Sequence, residues 1–166
     1  MVHSPVVKRH ADATKLLTKL LNTYVAIHEL GYVATEKILV QLKRNDFEPD
    51  VAFWPSEVAD TFEDAQLFFP APALVAEVLS PGTEKFDREE KFKAYAGNGV
   101  LEYWIVDSAK RRVECYALQD GYYGDAKIVA SPDDLISTSV SGFAQPVSSI
   151  FDWRENLLAM RRLLTA

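Results

Sequence analysis

The chain has 166 residues, of which 48% are apolar and 25% charged, and its formal net charge is −6. This composition is typical of an ordinary globular protein and excludes a disordered or fibrous chain. The negative charge argues against nucleic-acid binding over the whole surface, although it is compatible with a local basic patch.

The first predicted element is a helix over residues 11–30, where apolar side chains recur at helical spacing and form one apolar face. Asp12 or Thr14 is expected to cap its start, and Gly31 to follow its last turn. The apolar periodicity therefore predicts a long amphipathic helix that packs one face on the core.

The segment before this helix, residues 1–10, is expected to be a mobile N-terminus. It contains His3 and His10. A chain of this length predicts one domain, which we expect to span residues 1–166.

Three strands are predicted next. Residues 33–42 alternate between polar and apolar side chains, and Glu36 falls on the apolar side. Residues 50–54 form a second strand, and residues 72–80 a third, more apolar one. The acidic residues 56–70 between them are expected to be an exposed excursion with one short helix.

A second amphipathic helix is predicted over residues 83–96. Its spacing places Phe86, Phe92 and Tyr95 on the inward face. We expect this helix to cover one face of the sheet close to the third strand.

A hairpin and a helical tail complete the pattern. Residues 101–107 and 111–118 are strands joined by a short turn. Residues 127–130 and 136–143 are expected to be short strands, and a last helix begins at Trp153. The order predicts an α/β fold with a mixed sheet flanked by helices.

Glu77 lies in the middle of the apolar third strand, where an unpaired charge would cost several kcal/mol. Asp50 starts the strand before it, so two carboxylates would converge if these strands are neighbours. With the carbonyl of Val78 they would form an oxygen-rich site that suits Mg²⁺. The alternatives are an internal ion pair for Glu77 and a turn role for Asp50. Glu36 is either a third site carboxylate or a strand-end residue paired with a lysine.

Two lysines compete for the role of the site's cation. Lys91 on the second helix would reach back toward the carboxylates, and Lys85 lies nearer the end of the third strand. Asp87 and Lys91 are four residues apart, a spacing that is also typical of a plain surface ion pair.

A chain of motifs resembles one known family. The motifs are Glu48–Val51, Pro72–Thr83, Asp87 with Lys91 and Tyr95, and Gly99–Asp107. In this order and spacing they resemble the Uma-type putative restriction endonuclease family of the PD-(D/E)XK nuclease superfamily, over about residues 15–150.

The resemblance implies a restriction-endonuclease-like mixed sheet with a Mg²⁺ site. Asp50 would match the motif's aspartate and Glu77 its second acidic residue. The strict pattern has a lysine two positions later, where this chain has Leu79, and Lys91 would stand in for it. The family also carries a strand pair ahead of its first helix, which we do not expect in this chain.

The function implied by the resemblance is Mg²⁺-dependent hydrolysis of DNA phosphodiester bonds, with Mn²⁺ as a substitute ion. The alternatives are a catalytically inactive nuclease-fold module that binds nucleic acid or a protein partner, and a structural domain in which Glu77 makes an internal ion pair. A homodimer is an open expectation. The single Cys115 and the lack of a signal peptide or membrane span predict a cytoplasmic protein without a membrane partner.

Overall fold

The computed structural model describes residues 5–166, so His3 lies outside the described residues. Helix α1 spans Lys8–Ile27 and begins before both predicted caps, with Val7 at its N-cap and no side-chain cap. The expectation that residues 1–10 are mobile is therefore wrong for the last part of that segment. His10 belongs to the buried face of α1 and is 5% exposed.

Twelve strands follow α1 within residues 5–166. They are β1 Gly31–Thr35, β2 Leu39–Gln41, β3 Asp46–Phe47, β4 Val51–Pro55, β5 Phe68–Phe69, β6 Leu74–Val78, β7 Glu102–Asp107, β8 Arg112–Gln119, β9 Tyr122–Tyr123, β10 Lys127–Ala130, β11 Asp134–Ile136 and β12 Ala144–Pro146. The central sheet has the order β1-β4-β6-β7-β8-β10, with β9 paired to β8. Only β6 and β7 run parallel in it, which makes the sheet mixed as predicted.

Two predicted strands are wrong in extent. The strand expected over 33–42 is split into β1 and β2, and β2 leaves the central sheet to pair with β3 and β5. The split occurs where Glu36 and Lys37 have φ of 25° and 64°, values in the left-handed region that end the extended backbone. The strand expected over 136–143 is instead the pair β11–β12 with a loop between.

The first residue of β1 explains why Gly31 is needed, although it does not close α1. The C-cap of α1 is His28. Gly31 has a φ of 145°, and a Cβ there would lie 2.0 Å from the carbonyl oxygen of Trp54. The glycine therefore permits β1 to approach β4 closely.

The second amphipathic helix is interrupted by a wider turn. It consists of α3 Glu84–Phe86, a π-helical turn Asp87–Lys91, and α4 Phe92–Gly97. Such π turns are rare and occur often at functional sites. Phe86 is 38% exposed, so its predicted inward position is wrong, whereas Tyr95 is fully buried.

The core lies on both faces of the central sheet. On one face α1 and α5 (Trp153–Thr165) cover an aliphatic cluster, and on the other α4 and the small sheet β3-β2-β5 cover an aromatic cluster. The short helix α2 (Ser56–Ala59) occupies the acidic excursion, and a 3-10 turn, Val147–Ile150, precedes α5. No helix among residues 5–166 is long and apolar enough to cross a membrane.

Candidate functional site

The predicted carboxylates lie in one cross-strand row. β4 and β6 are antiparallel neighbours, and continuing the pair Val51–Ala76 by one residue puts Asp50 opposite Glu77. On the other side of β4, the N–H of Glu36 donates to the carbonyl oxygen of Asp50 at 3.4 Å. Directly opposite residues have Cβ atoms about 5 Å apart, so this register places the carboxylates of Asp50 and Glu77 near each other.

Glu77 is buried against the helical segment and is 2% exposed. Its Oε1 accepts a hydrogen bond from Tyr95 Oη at 2.8 Å, and its Oε2 lies 2.9 Å from Lys91 Nζ. Burial first, and then the carboxylates of Asp50 and Asp87, raise the pKa of Glu77 to about 7 against the attraction of Lys91. The site therefore carries more negative charge than its lysine offsets.

Lys91 is brought to Glu77 by the π turn. Its Nζ also lies 3.0 Å from Asp87 Oδ1 in an ion pair, and the side chains of Lys91 and Asp87 are only 12% and 1% exposed. The spacing of Asp87 and Lys91 does produce an ion pair, but a buried one rather than a surface one. Burial lowers the pKa of Lys91, yet the two carboxylates outweigh this and the net pKa is raised, so the ammonium stays charged. Lys85 is exposed and does not line the site.

Asp50 is oriented by β6 and by α1. Its Oδ2 accepts a hydrogen bond from the N–H of Val78 at 2.7 Å and lies 3.4 Å from His10 Nε2. The contact with Asp50 raises the pKa of His10 and outweighs burial, which lowers it, and the backbone of Val78 raises it further. A helix, a strand and a neighbouring strand thus meet at one carboxylate.

His10 is the site residue that sequence reasoning missed. Thr14, Leu17 and Leu21 form a buried face of α1, and His10 lies one turn before Thr14 on the same face. That spacing could have shown it, but the polar cap candidates inside α1 pointed to a later helix start. Its Nδ1 is buried and has no hydrogen-bond partner among residues 5–166.

These residues line an open cleft of about 490 Å³. The lining includes the acidic residues Glu36, Glu48, Asp50 and Glu77 and the basic residues His10, Lys37 and Lys91. A concave, solvent-connected site with convergent charged groups and perturbed pKa values is typical of a functional site.

The donors of this cleft suit a hard divalent ion. Asp50, Glu77 and the carbonyl of Val78 offer oxygen ligands, and the excess negative charge around Glu77 would be offset by a cation. Among residues 5–166 no group of three His, Cys, Asp or Glu side chains is placed to hold a metal by itself.

Comparison with known proteins supports the resemblance seen in the motifs. The model of the Uma2 family, described as putative restriction endonuclease, matches residues 1–148. The fold of a crystal structure described as a putative nuclease belonging to DUF820 from Anabaena variabilis is similar, with a TM-score of 0.76, 16% identity, and coverage of 92% of this chain and 86% of that one. The fold is restriction-endonuclease-like, as the motifs predict.

Two proteins of Synechocystis sp. are related in sequence. The uncharacterized protein slr1290 is 44% identical over 54 residues, which cover 32% of this chain and 28% of the relative. The uncharacterized protein sll1609 is 30% identical over 109 residues, which cover 64% of this chain and 61% of the relative. The matched regions thus span less than two thirds of either relative's length.

Proposed function

This chain belongs to the Uma2 family of putative restriction endonucleases, and on that premise we propose that it is a Mg²⁺-dependent endonuclease that hydrolyses DNA phosphodiester bonds. The observation that carries the proposal is the concentration of carboxylates around one mostly buried lysine, Lys91, at the cleft. Asp50 directly precedes β4 and accepts a hydrogen bond from the N–H of Val78, the residue after Glu77, at 2.7 Å. Lys91 Nζ lies 2.9 Å from Glu77 Oε2.

The metal-binding residues in this proposal are Asp50, Glu77 and the backbone carbonyl of Val78. When bound there, Mg²⁺ or Mn²⁺ supplies a water of lowered pKa and neutralises charge on the phosphate oxygens. The N–H of Val78 orients Asp50, and the hydroxyl of Tyr95 donates a hydrogen bond to Glu77 Oε1. Burial first, and then Glu77, raises the pKa of Tyr95, so its hydroxyl remains a donor at neutral pH.

Lys91 supplies the fixed positive charge of the proposed site. Because it stays protonated, it can stabilise negative charge that develops on the phosphate. In this proposal Lys91 replaces the lysine that the family pattern has at position 79, where this chain has leucine. A covalent cysteine mechanism is disfavoured, since burial raises the pKa of Cys115 to about 12. Our proposal also places the protein in the cytoplasm and includes a homodimer, in which each copy would cut one strand of a duplex.

A second function is favoured by one observation. Lys91 contacts both Glu77 and Asp87 and is 12% exposed, as a purely structural ion pair would be. The chain would then be a nuclease-fold module that binds nucleic acid or a protein partner without cutting. Such a module has no reason to hold a metal, so metal binding separates the two functions.

The test is DNA cleavage by the wild type and by Glu77→Ala, with Mg²⁺, Mn²⁺ or a chelator. We expect cleavage by the wild type only with a metal, and a loss of about 100-fold or more in the variant, because it removes a metal-binding carboxylate. Lys85→Ala is the matched control on an exposed side chain and should cleave like the wild type. Equal cleavage by Glu77→Ala would overturn the proposal.

A further inference from the structure

The three basic residues of the cleft, His10, Lys37 and Lys91, differ in exposure and contacts. His10 is buried and Lys91 mostly buried, and each contacts a carboxylate, at 3.4 Å for Asp50 and 2.9 Å for Glu77. Lys37 is exposed, and within residues 5–166 it forms no salt bridge. It is therefore the cleft-lining cation that the described part of the chain leaves available to a ligand.

We propose that Lys37 binds a backbone phosphate of the DNA strand that enters the cleft. This inference rests on the proposed function, because that function defines the ligand as a phosphodiester. A strand that reaches Asp50 and Glu77 brings negative charge to a cleft lined by four carboxylates. Without a cation at the rim, that approach would be repelled.

The backbone at Lys37 supports the same role. Glu36 and Lys37 are consecutive residues with φ of 25° and 64°, and neither is a glycine. Side chains with a Cβ are strained in this region, and such strain persists where the surrounding structure enforces it, often at ligand sites. Here β1 is paired to β4 before the turn, and β2 is paired to β3 and β5 after it.

This turn places Lys37 near the proposed metal-binding residues Asp50 and Glu77. Glu36 lies beside Asp50 through its N–H contact, so the following residue lies at the rim of the same cleft. A lysine at a rim acts as a flexible point charge toward a phosphate and makes no base-specific contact. Lys37 should therefore contribute affinity without sequence preference.

The experiment measures binding of a short DNA duplex in a chelator, over a range of salt concentrations. The variants are Lys37→Asn, which tolerates the left-handed backbone, Lys37→Arg, which keeps the charge, and Lys43→Asn, which removes an exposed lysine outside the cleft. We expect Lys37→Asn to raise Kd by about 5-fold and to reduce the slope of log K against log salt by about 1. Lys37→Arg should bind like the wild type, and Lys43→Asn should leave the slope unchanged.

Each other outcome is decisive. A Lys37→Asn slope equal to that of the wild type, or a loss equal to that of Lys43→Asn, would overturn the role of Lys37. An unchanged or raised Tm in Lys37→Asn shows that lost affinity is not lost folding, whereas a lowered Tm with lost affinity counts against a direct contact. A wild type that binds no DNA in the chelator overturns the phosphate contact, whereas the proposed function is judged separately by cleavage with Mg²⁺ or Mn²⁺. A wild type that binds through Lys37 but does not cleave with Mg²⁺ overturns the proposed cleavage alone.

Discussion

Two buried glutamates of the central sheet lie in one cross-strand row and have opposite electrostatic properties. Glu77 on β6 is paired with Ile105 on β7, which is paired in turn with Glu114 on β8. The two carboxyls are 2% and 5% exposed, and the π turn Asp87–Lys91 sends a cation to each. Burial alone therefore does not distinguish them.

Their partners do distinguish them. Glu114 accepts hydrogen bonds from Arg88 at 2.7 and 3.0 Å and from the hydroxyl of Tyr116 at 3.0 Å. The Arg88 contact, ahead of the opposing effect of burial, lowers the pKa of Glu114. Glu77 shares its lysine with Asp87 and faces Asp50, and its pKa is raised to about 7. Glu114 thus has its own cation and fixes the helical segment to the sheet, whereas Glu77 shares its cation with a second carboxylate.

The largest effect expected from this contrast is on folding stability. Glu114→Gln should lower the free energy of unfolding by about 2 kcal/mol, because it weakens charged hydrogen bonds to a partly exposed Arg88. Glu77→Gln should lower it by less, or raise it, because it removes a charge from a site with excess negative charge. Urea unfolding in a chelator measures both. A larger loss in Glu77→Gln than in Glu114→Gln would break the comparison.

A smaller effect, of opposite sign at the two glutamates, is expected in the pH dependence of stability. The lowered pKa of Glu114 gives stability that is present above its ordinary value of 4.5 and lost as the pH falls through the folded value. The raised pKa of Glu77 gives stability that is present below 4.5 and lost as the pH rises to about 7. In a chelator, the wild type minus Glu114→Gln difference should grow from acid to neutral pH, and the Glu77→Gln difference should shrink. If both stability differences grew, or both shrank, from acid to neutral pH, the account would be contradicted.

The sheet and its carboxylates could be predicted from the sequence because they follow from local patterns. An apolar run interrupted by Glu77 indicates a buried strand with a carboxylate that needs a partner, and the hairpin β7–β8 follows from two short alternating segments. Asp50 could be placed beside Glu77 only on the assumption that their strands are neighbours. The pairing of β4 with β6 confirms that assumption.

The remaining features depend on contacts that no short pattern shows. A π turn has no residue signature, so the exposed position of Phe86 was missed, together with the burial of Asp87. Left-handed backbone is expected at glycine, so the sequence gives no sign that the strand ends at Glu36 and Lys37. The start of α1 lacks a side-chain cap, so the sequence does not show that the helix includes His10 and buries it.

The central claim is that Glu77 belongs to a metal site and Glu114 does not. Calorimetric titration of Mg²⁺, repeated with Mn²⁺, into the wild type, Glu77→Gln and Glu114→Gln tests it without any need for cleavage. We predict binding to the wild type and to Glu114→Gln, and a loss of binding in Glu77→Gln, because Glu77, unlike Glu114, lines the same cleft as Asp50. A wild type that binds neither ion, or a Glu77→Gln variant that binds as tightly as the wild type, would contradict the claim.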